Sequence, residues 1–310
     1  MKVLFVTSGN LGRLSAIIKA QGDSLSRAGI EVEYYLIRGK GIKGYLSHIW
    51  PLHKQLKNNH YDAVHAHYSL SAYVASLAGA KPLVVSLMGS DLKANGLYRL
   101  LILLFRRLFR WKYIIVKSRD MAEQMRITDV EVIPNGVNLD LFVQMDKAVC
   151  RKKLGWEDGV SHILFPTDPN RPEKDYPLAQ EAIALLERKT LTHVFRDIKH
   201  KDTVLYYNAA DVVLVTSKWE GSPNVIKEAL ACGCPIVSTD VGDVKERLSG
   251  LDGCYVANTR SPQEISEKLS NALEFAERTA GRDRLMSDEL DDIQIARRII
   301  TLYDKASKKR

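Results

Sequence analysis

Glu220 and Glu228 stand with seven residues between them in the stretch "SKWEGSPNVIKEALACGCPIVSTDVGD", Ser217 to Asp243. The first carboxylate lies in a Gly-Ser-Pro loop after the apolar run "DVVLVT", and the second lies inside the helix that this loop introduces. Pro223 at the first helical position, with Ser222 before it, is a helix-start signal. The residues Gly221, Ser222, Pro223, Asn224 and Val225 therefore form a helix entry whose N–H groups can receive phosphate oxygens. Glu220 sits in front of that anion site. Two carboxylates beside a phosphate repel it unless they serve neighbouring hydroxyls. The hydroxyls of a sugar and of a ribose suit these acceptor-only groups. Glu228, about one turn into the helix, is placed to reach a ribose.

Other candidates follow apolar runs in the same way. After "HILFP" comes "TDPNRPEKDYP", where Arg171 and Lys174 suit a diphosphate or simply decorate a loop. After the first apolar run comes "TSGNLGRLS", in which Gly9, Asn10 and Gly12 either let backbone approach a ligand or make a tight turn. It is not a G-x-G-x-x-G dinucleotide fingerprint. In "HAHYS", His65 and His67 share one face of an extended segment. His67, at its end, is either a ligand-facing or a structural histidine. No third metal ligand lies nearby, so no zinc site is expected. Asp91 in "LMGSDL" reads as a helix cap.

The elements that position these residues alternate. Short β-rich runs ("VLFVT", "VEYYLI", "DAVHAH", "PLVVSL", "YIIV", "VEVI") are separated by helical patterns, break at "PNGVNLDLF", and restart at "HILFP". This alternation implies βαβ units with parallel sheets covered on both faces. The expected fold class is α/β, with two doubly wound Rossmann-like domains facing across a cleft. The expected bounds are 1–140 for a first domain, 141–290 for a second, and 291–310 for a helix packing back toward the first. "SPQE" at Ser261 to Glu264 reads as a capping box opening a helix to about Arg278.

The chain has 310 residues, 45% apolar and 26% charged, with 45 Lys and Arg against 37 Asp and Glu. A charge of +8 favours an anionic partner. A nucleic-acid binder accounts for the charge alone, without aromatic-basic motifs, and none is expected. Cys150, Cys232, Cys234 and Cys254 have no C-x-x-C spacing and read as reduced thiols of a cytoplasmic protein. "MKVLFVTSGN" is too short an apolar run for a signal peptide, and no membrane-spanning run is present. "LYRLLILLFRRLFRWKY" (Leu97 to Tyr113) puts Arg99, Arg106 and Arg110 near one helix face. It reads either as a core helix with a basic edge or as an interfacial helix on an anionic membrane.

"EGSPNVIKEALACGCPIVSTDVGDVKE" resembles the signature of retaining glycosyltransferases of family four, which have the GT-B fold. "VIPNGV", "HAHYS", "YYNAADVVLVTS" and "RPEK" are similar to other blocks of that family, and the wording is closest to bacterial surface-polysaccharide or lipopolysaccharide transferases. The resemblance implies that Glu220 contacts the donor sugar, Glu228 the ribose, and Arg171 and Lys174 the diphosphate. It further implies that Gly221 to Val225 bind phosphate, that Gly9 and Asn10 contribute from across the cleft, and that His67 lies near the reacting centre. It implies a nucleotide-sugar donor, a glycan or lipid-linked acceptor, no metal or other cofactor, and retention by front-face attack. A same-fold epimerase and a weakened donor- or lipid-binding subunit are the alternatives. The sequence departs from the family at Thr167 and Asp168, where a Gly-Arg pair is usual, at Met88 in place of histidine, and in the short segment Glu187 to Lys201.

Overall fold

The computed structural model describes residues 1–10, 12, 14–39, 41–89, 91 and 96–308. Leu11 and Arg13 of the Gly9 loop lie outside the described residues, as do Ser90 and Leu92 beside Asp91. The chain forms two compact units, Met1–Gly136 with Asp292–Arg310, and Val137–Asp291.

The first unit contains β1 (Lys2–Ser8), α1 (Ala16–Arg27), β2 (Glu31–Ile37), α2 (Gly41–Leu46), α3 (Ile49–Asn58), β3 (Ala63–His67), α4 (Ser69–Leu77), β4 (Leu83–Ser86), α5 (Gly96–Phe109), β5 (Tyr113–Val116), α6 (Arg119–Met125) and β6 (Glu131–Val132). The second contains α7 (Lys147–Leu154), β7 (Ser161–Phe165), α8 (Tyr176–Ala184), β8 (Thr190–Val194), α9 (Thr203–Ala209), β9 (Val212–Val215), α10 (Asn224–Ala231), β10 (Ile236–Thr239), α11 (Val244–Leu248), β11 (Cys254–Ala257), α12 (Pro262–Glu274) and α13 (Gly281–Ser287). Helix α14 (Asp292–Lys308) returns to the first unit.

Both sheets are parallel, in the orders β2-β1-β3-β4-β5-β6 and β11-β10-β9-β7-β8. The inner strands are buried because helices cover both faces of such a sheet, whereas the edge strands β2 and β8 are mostly half-buried. Val3 to Val6 and Val212 to Leu214 are fully buried. Strand order reverses between β1 and β3 in one sheet and between β7 and β9 in the other. The loops leaving these strands are where open α/β sheets bind ligands.

Helix α14 packs on α1, and its Ile295, Ile299, Leu302 and Tyr303 are buried. Tyr303 also meets His65 of β3, and Asp292 holds Arg27 of α1.

Three local expectations are corrected. Ser261 precedes α12 as expected, but it makes no side-chain cap bond and donates instead to Gln263 at 2.8 Å. Glu264 reaches past it to the backbone N–H groups of Asn258 and Thr259, at 2.8 and 2.9 Å. Bonds from the Thr259 side chain and from these N–H groups lower its pKa to about 2. Second, α12 stops at Glu274, and Arg278 instead donates to the carbonyls of Cys232, Met145 and Asn208. Third, α5 ends at Phe109, Arg110 is left-handed at φ 53°, and Trp111 is buried with its indole donating to Ser76. Arg106 belongs to the fold, holding the carbonyls of Thr128 and Asp129 and the Asp129 carboxylate. The outward stripe of α5 is apolar: Leu100, Leu104 and Leu108 are 60%, 52% and 67% exposed, beside exposed Arg107 and Arg110.

Among the described residues, no helix is long and apolar enough to cross a membrane. All four cysteines are buried and unpaired.

Candidate active site

In the second unit the loops after β7 and β9 meet. Thr216, just past β9, donates through its hydroxyl to the carbonyls of Lys174 and Asp175 at 2.9 and 2.8 Å. The Lys218 N–H donates to the Glu173 carbonyl at 2.8 Å. These bonds fix the short 3-10 turn Pro172–Lys174 and aim Lys174 at Glu220. Lys174 Nζ and Glu220 Oε1 form an ion pair, and Ser217 donates to the same oxygen at 3.0 Å. The lysine and glutamate side chains are only 12% and 17% exposed. A small cavity beside them is lined by Phe165, Pro166, Thr167, Lys174, Ser217 and Val225.

Helix α10 begins at Asn224 with Pro223 as its N-cap, one residue later than the sequence suggests. Gly221, Ser222 and Pro223 are buried rather than open. Their path is set by Gly242 (φ 60°), where a side chain would come within 2.4 Å of the Gly221 carbonyl oxygen. Ser222 donates to Asp243 at 2.8 Å and accepts from Lys227 at 2.9 Å. Asn224 and Val225 are half-buried at the first turn.

Glu228 is buried and each of its oxygens has a protein donor. His200 Nε2 lies 2.8 Å from Oε1, and the Tyr207 hydroxyl donates to Oε2 at 2.8 Å. The Glu228 contact raises the His200 pKa above its ordinary value. An ionised carboxylate has about four acceptor positions, so Glu228 keeps capacity for two further hydroxyls.

Arg171 does not join this group. Its guanidinium is 53% exposed and rests on Glu173 Oε1, at 2.9 Å from Nε and 2.6 Å from the terminal nitrogen. A carboxylate two residues away captures it on the loop surface. Arg260, after β11, was missed by the sequence reading. It donates to the carbonyls of Ser217 and Thr216 at 2.8 and 2.9 Å and to Asp175 at 2.6 Å, bracing the end of β9. Its only signal was a basic residue following a strand.

In the first unit, Gly9 and His67 follow β1 and end β3, on either side of the strand reversal. Gly9 is required by packing, because a side chain there would meet Leu36 Cβ at 2.9 Å. Asn10 is exposed and accepts from the Gly39 N–H at 2.7 Å. His67 is 2% exposed, stacks on His65 at 4.2 Å and lies tilted against Phe5 at 4.5 Å. Neither of its ring nitrogens is hydrogen-bonded among the described residues. Burial pushes its pKa well down, so it is neutral. Asp91 is buried and accepts from the Met88 N–H and the Ser69 hydroxyl, both at 2.6 Å, so it caps α4 from a distance. Burial raises its pKa to about 6.

Residues 7–141 match the model of Glycosyltransferase Family 4, and residues 157–274 match that of Glycosyl transferases group 1. The chain belongs to glycosyltransferase family 4.

A similar member is a putative teichuronic acid biosynthesis glycosyltransferase, TuaC of Bacillus subtilis (strain 168), 27% identical over 67% of this chain and 60% of that protein. A D-inositol 3-phosphate glycosyltransferase of Nocardiopsis dassonvillei is 26% identical over 69% of this chain and 63% of its own. The chain thus aligns with about three fifths of the length of these curated relatives. Sucrose-phosphate synthase from Thermosynechococcus elongatus superposes with a TM-score of 0.80 at 16% identity, covering 100% of this chain and 99% of that one. Anabaena HepE in complex with UDP gives 0.75 at 17%, covering 98% and 100%. These likenesses show the family 4 chain to share the two-domain Rossmann-like GT-B fold.

Proposed function

We propose that this chain is a retaining glycosyltransferase. It moves a sugar from a nucleotide-sugar donor to a glycan or lipid-linked acceptor in bacterial surface-polysaccharide synthesis. The observation that carries this reading is the Lys174–Glu220 ion pair at the β7–β9 reversal, beside the entry to α10. Both protein contacts of Glu220 fall on Oε1, and its other oxygen serves a hydroxyl of the donor sugar. Lys174 and the α10 N-terminus take the diphosphate, and Glu228 takes the ribose. In front-face transfer the acceptor oxygen bonds to the anomeric carbon as the bond to phosphate breaks. The acceptor proton passes to the departing phosphate oxygen, and configuration is retained. Charge on the leaving group is stabilised by the lysine and the helix end, so no divalent metal is required.

The acceptor class is supported by a relative that acts on a lipid-linked acceptor. One segment is 35% identical, over 34% of this chain, to a Campylobacter jejuni enzyme named as an N-acetylgalactosaminyltransferase acting on a diphospho-undecaprenol. We place the chain in the cytoplasm, docked on the anionic inner leaflet. The exposed leucine stripe of α5 enters the interface while Arg107 and Arg110 meet headgroups. Arg106, tied to Asp129, takes no part.

The test is proton NMR of the chain with UDP-, GDP- and ADP-sugars and acceptor in excess chelator. Transfer with an unchanged anomeric coupling supports the reading. An inverted product, or a need for metal, overturns the corresponding part. Capture of Arg171 by Glu173 favours a second reading, a donor-binding subunit without turnover, which binds nucleotide-sugar and forms no product.

A further inference from the structure

Lys227 is 1% exposed in the first turns of α10, between Glu220 and Glu228 in sequence. Its Nζ donates to Ser222 Oγ at 2.9 Å, and Ser222 donates in turn to Asp243 Oδ2 at 2.8 Å. Arg247 Nε reaches the same Asp243 oxygen at 3.2 Å, while another of its nitrogens binds Asp288 at 2.6 Å. Arg247 thus touches the buried Asp243 carboxylate directly, and Lys227 reaches it through Ser222. The position is also poor for a cation on general grounds, because a helix N-terminus carries partial positive charge. Burial and the neighbouring Arg247 lower the Lys227 pKa, while Asp243, Glu228 and Glu220 raise it, leaving it at about 8.

We infer that Lys227 is a donor-positioning residue: it holds Ser222, and with it the loop that enters α10, and places a buried positive charge behind that loop to favour a nucleoside diphosphate. The inference rests on the donor site proposed above. Lys227 does not touch the donor. It acts through Ser222 and through its charge, which also offsets the two site carboxylates when a diphosphate arrives between them.

Lys227→Met keeps the length of the side chain and removes the charge. It is expected to fold, at some cost in melting temperature, because Ser222 and Arg247 still bond Asp243 when the ammonium is gone. Affinity for the diphosphate (UDP, GDP or ADP, whichever the wild type binds) is expected to fall at least about tenfold by calorimetry. Affinity for the matching nucleoside, followed by NMR titration, is expected to be unchanged. A folded Lys227→Met protein with wild-type diphosphate affinity, or with equal losses for nucleoside and diphosphate, overturns the inference and leaves the donor site standing. A wild type that binds no nucleoside diphosphate overturns both. Ser222→Ala keeps the ammonium and removes its hold on the loop, which covers the case of an unfolded Lys227→Met. Selective loss of the diphosphate supports the inference, and unchanged affinity overturns it.

Discussion

Lys174 and Glu220 lie 46 residues apart in sequence and meet as an ion pair where the second sheet reverses its strand order. Each holds the other in place, and each has a different task once a donor is bound. Replacing Glu220 by Gln keeps the shape and removes the charge that we propose orients the donor sugar. Transfer is expected to fall about a hundredfold or more, the scale of losing an electrostatic contact at a reacting centre. Nucleoside diphosphate affinity is expected to persist. Turnover equal to the wild type would remove Glu220 from the reaction.

Glu228→Ala removes the proposed acceptor for ribose and strands the Tyr207 hydroxyl, which is fully buried. Nucleotide affinity is expected to drop about tenfold or more, since bonds to charged groups are worth about 1.5–3 kcal/mol. The orphaned hydroxyl is expected to cost about 1–3 kcal/mol of stability. Glu228→Gln, which still accepts from Tyr207, should recover part of the stability and little of the affinity. Calorimetry and urea unfolding measure the two separately. Equal affinity across the three proteins would make Glu228 a structural residue only.

The alternation of strands and helices, and the two glutamates spaced around a helix start, were legible because they depend on neighbours in sequence. What was not legible depends on long-range partners. His200 comes from the short segment that looked like a loss of family structure, yet its imidazole lies against Glu228, 28 residues away. Arg171 has the right charge after the right strand, and nothing local says that Glu173 captures it. Helical spacing grouped Arg99, Arg106 and Arg110 on one face. Only packing shows Arg106 bound to Asp129 and Trp111 in the core. Gly9 reads either as a ligand-facing or as a turn glycine, and nothing local shows that Leu36 packs against it.

The His200 contact carries a pH dependence with a definite sign. Its folded pKa is raised above the ordinary value of about 6.5. Its contribution is fully present below about pH 6.5 and is lost as pH rises through the raised value. The gap in melting temperature between wild type and His200→Gln is therefore expected to narrow from about pH 6 to about pH 9. A gap that stays constant or widens would show that the charged imidazole does not matter.

Leu104 on α5 is exposed between Leu100 and Leu108. Wild type is expected to sediment with phosphatidylglycerol vesicles at low salt and much less at 1 M salt, where the screening length shrinks from about 10 Å to about 3 Å. Leu104→Glu and the pair Arg107→Glu, Arg110→Glu are each expected to release the protein without changing nucleotide affinity. If either variant binds as the wild type does, or if the wild type ignores anionic vesicles, the α5 stripe does not dock on a membrane.

The most direct measurement is calorimetric titration of UDP, GDP and ADP into wild type, Lys174→Met and Arg171→Met. One diphosphate is expected to bind the wild type, about tenfold or more weakly to Lys174→Met, and with little change to Arg171→Met. A wild type that binds none of the three, or a Lys174→Met protein that binds as tightly as the wild type, would contradict a donor site built on Lys174 and Glu220.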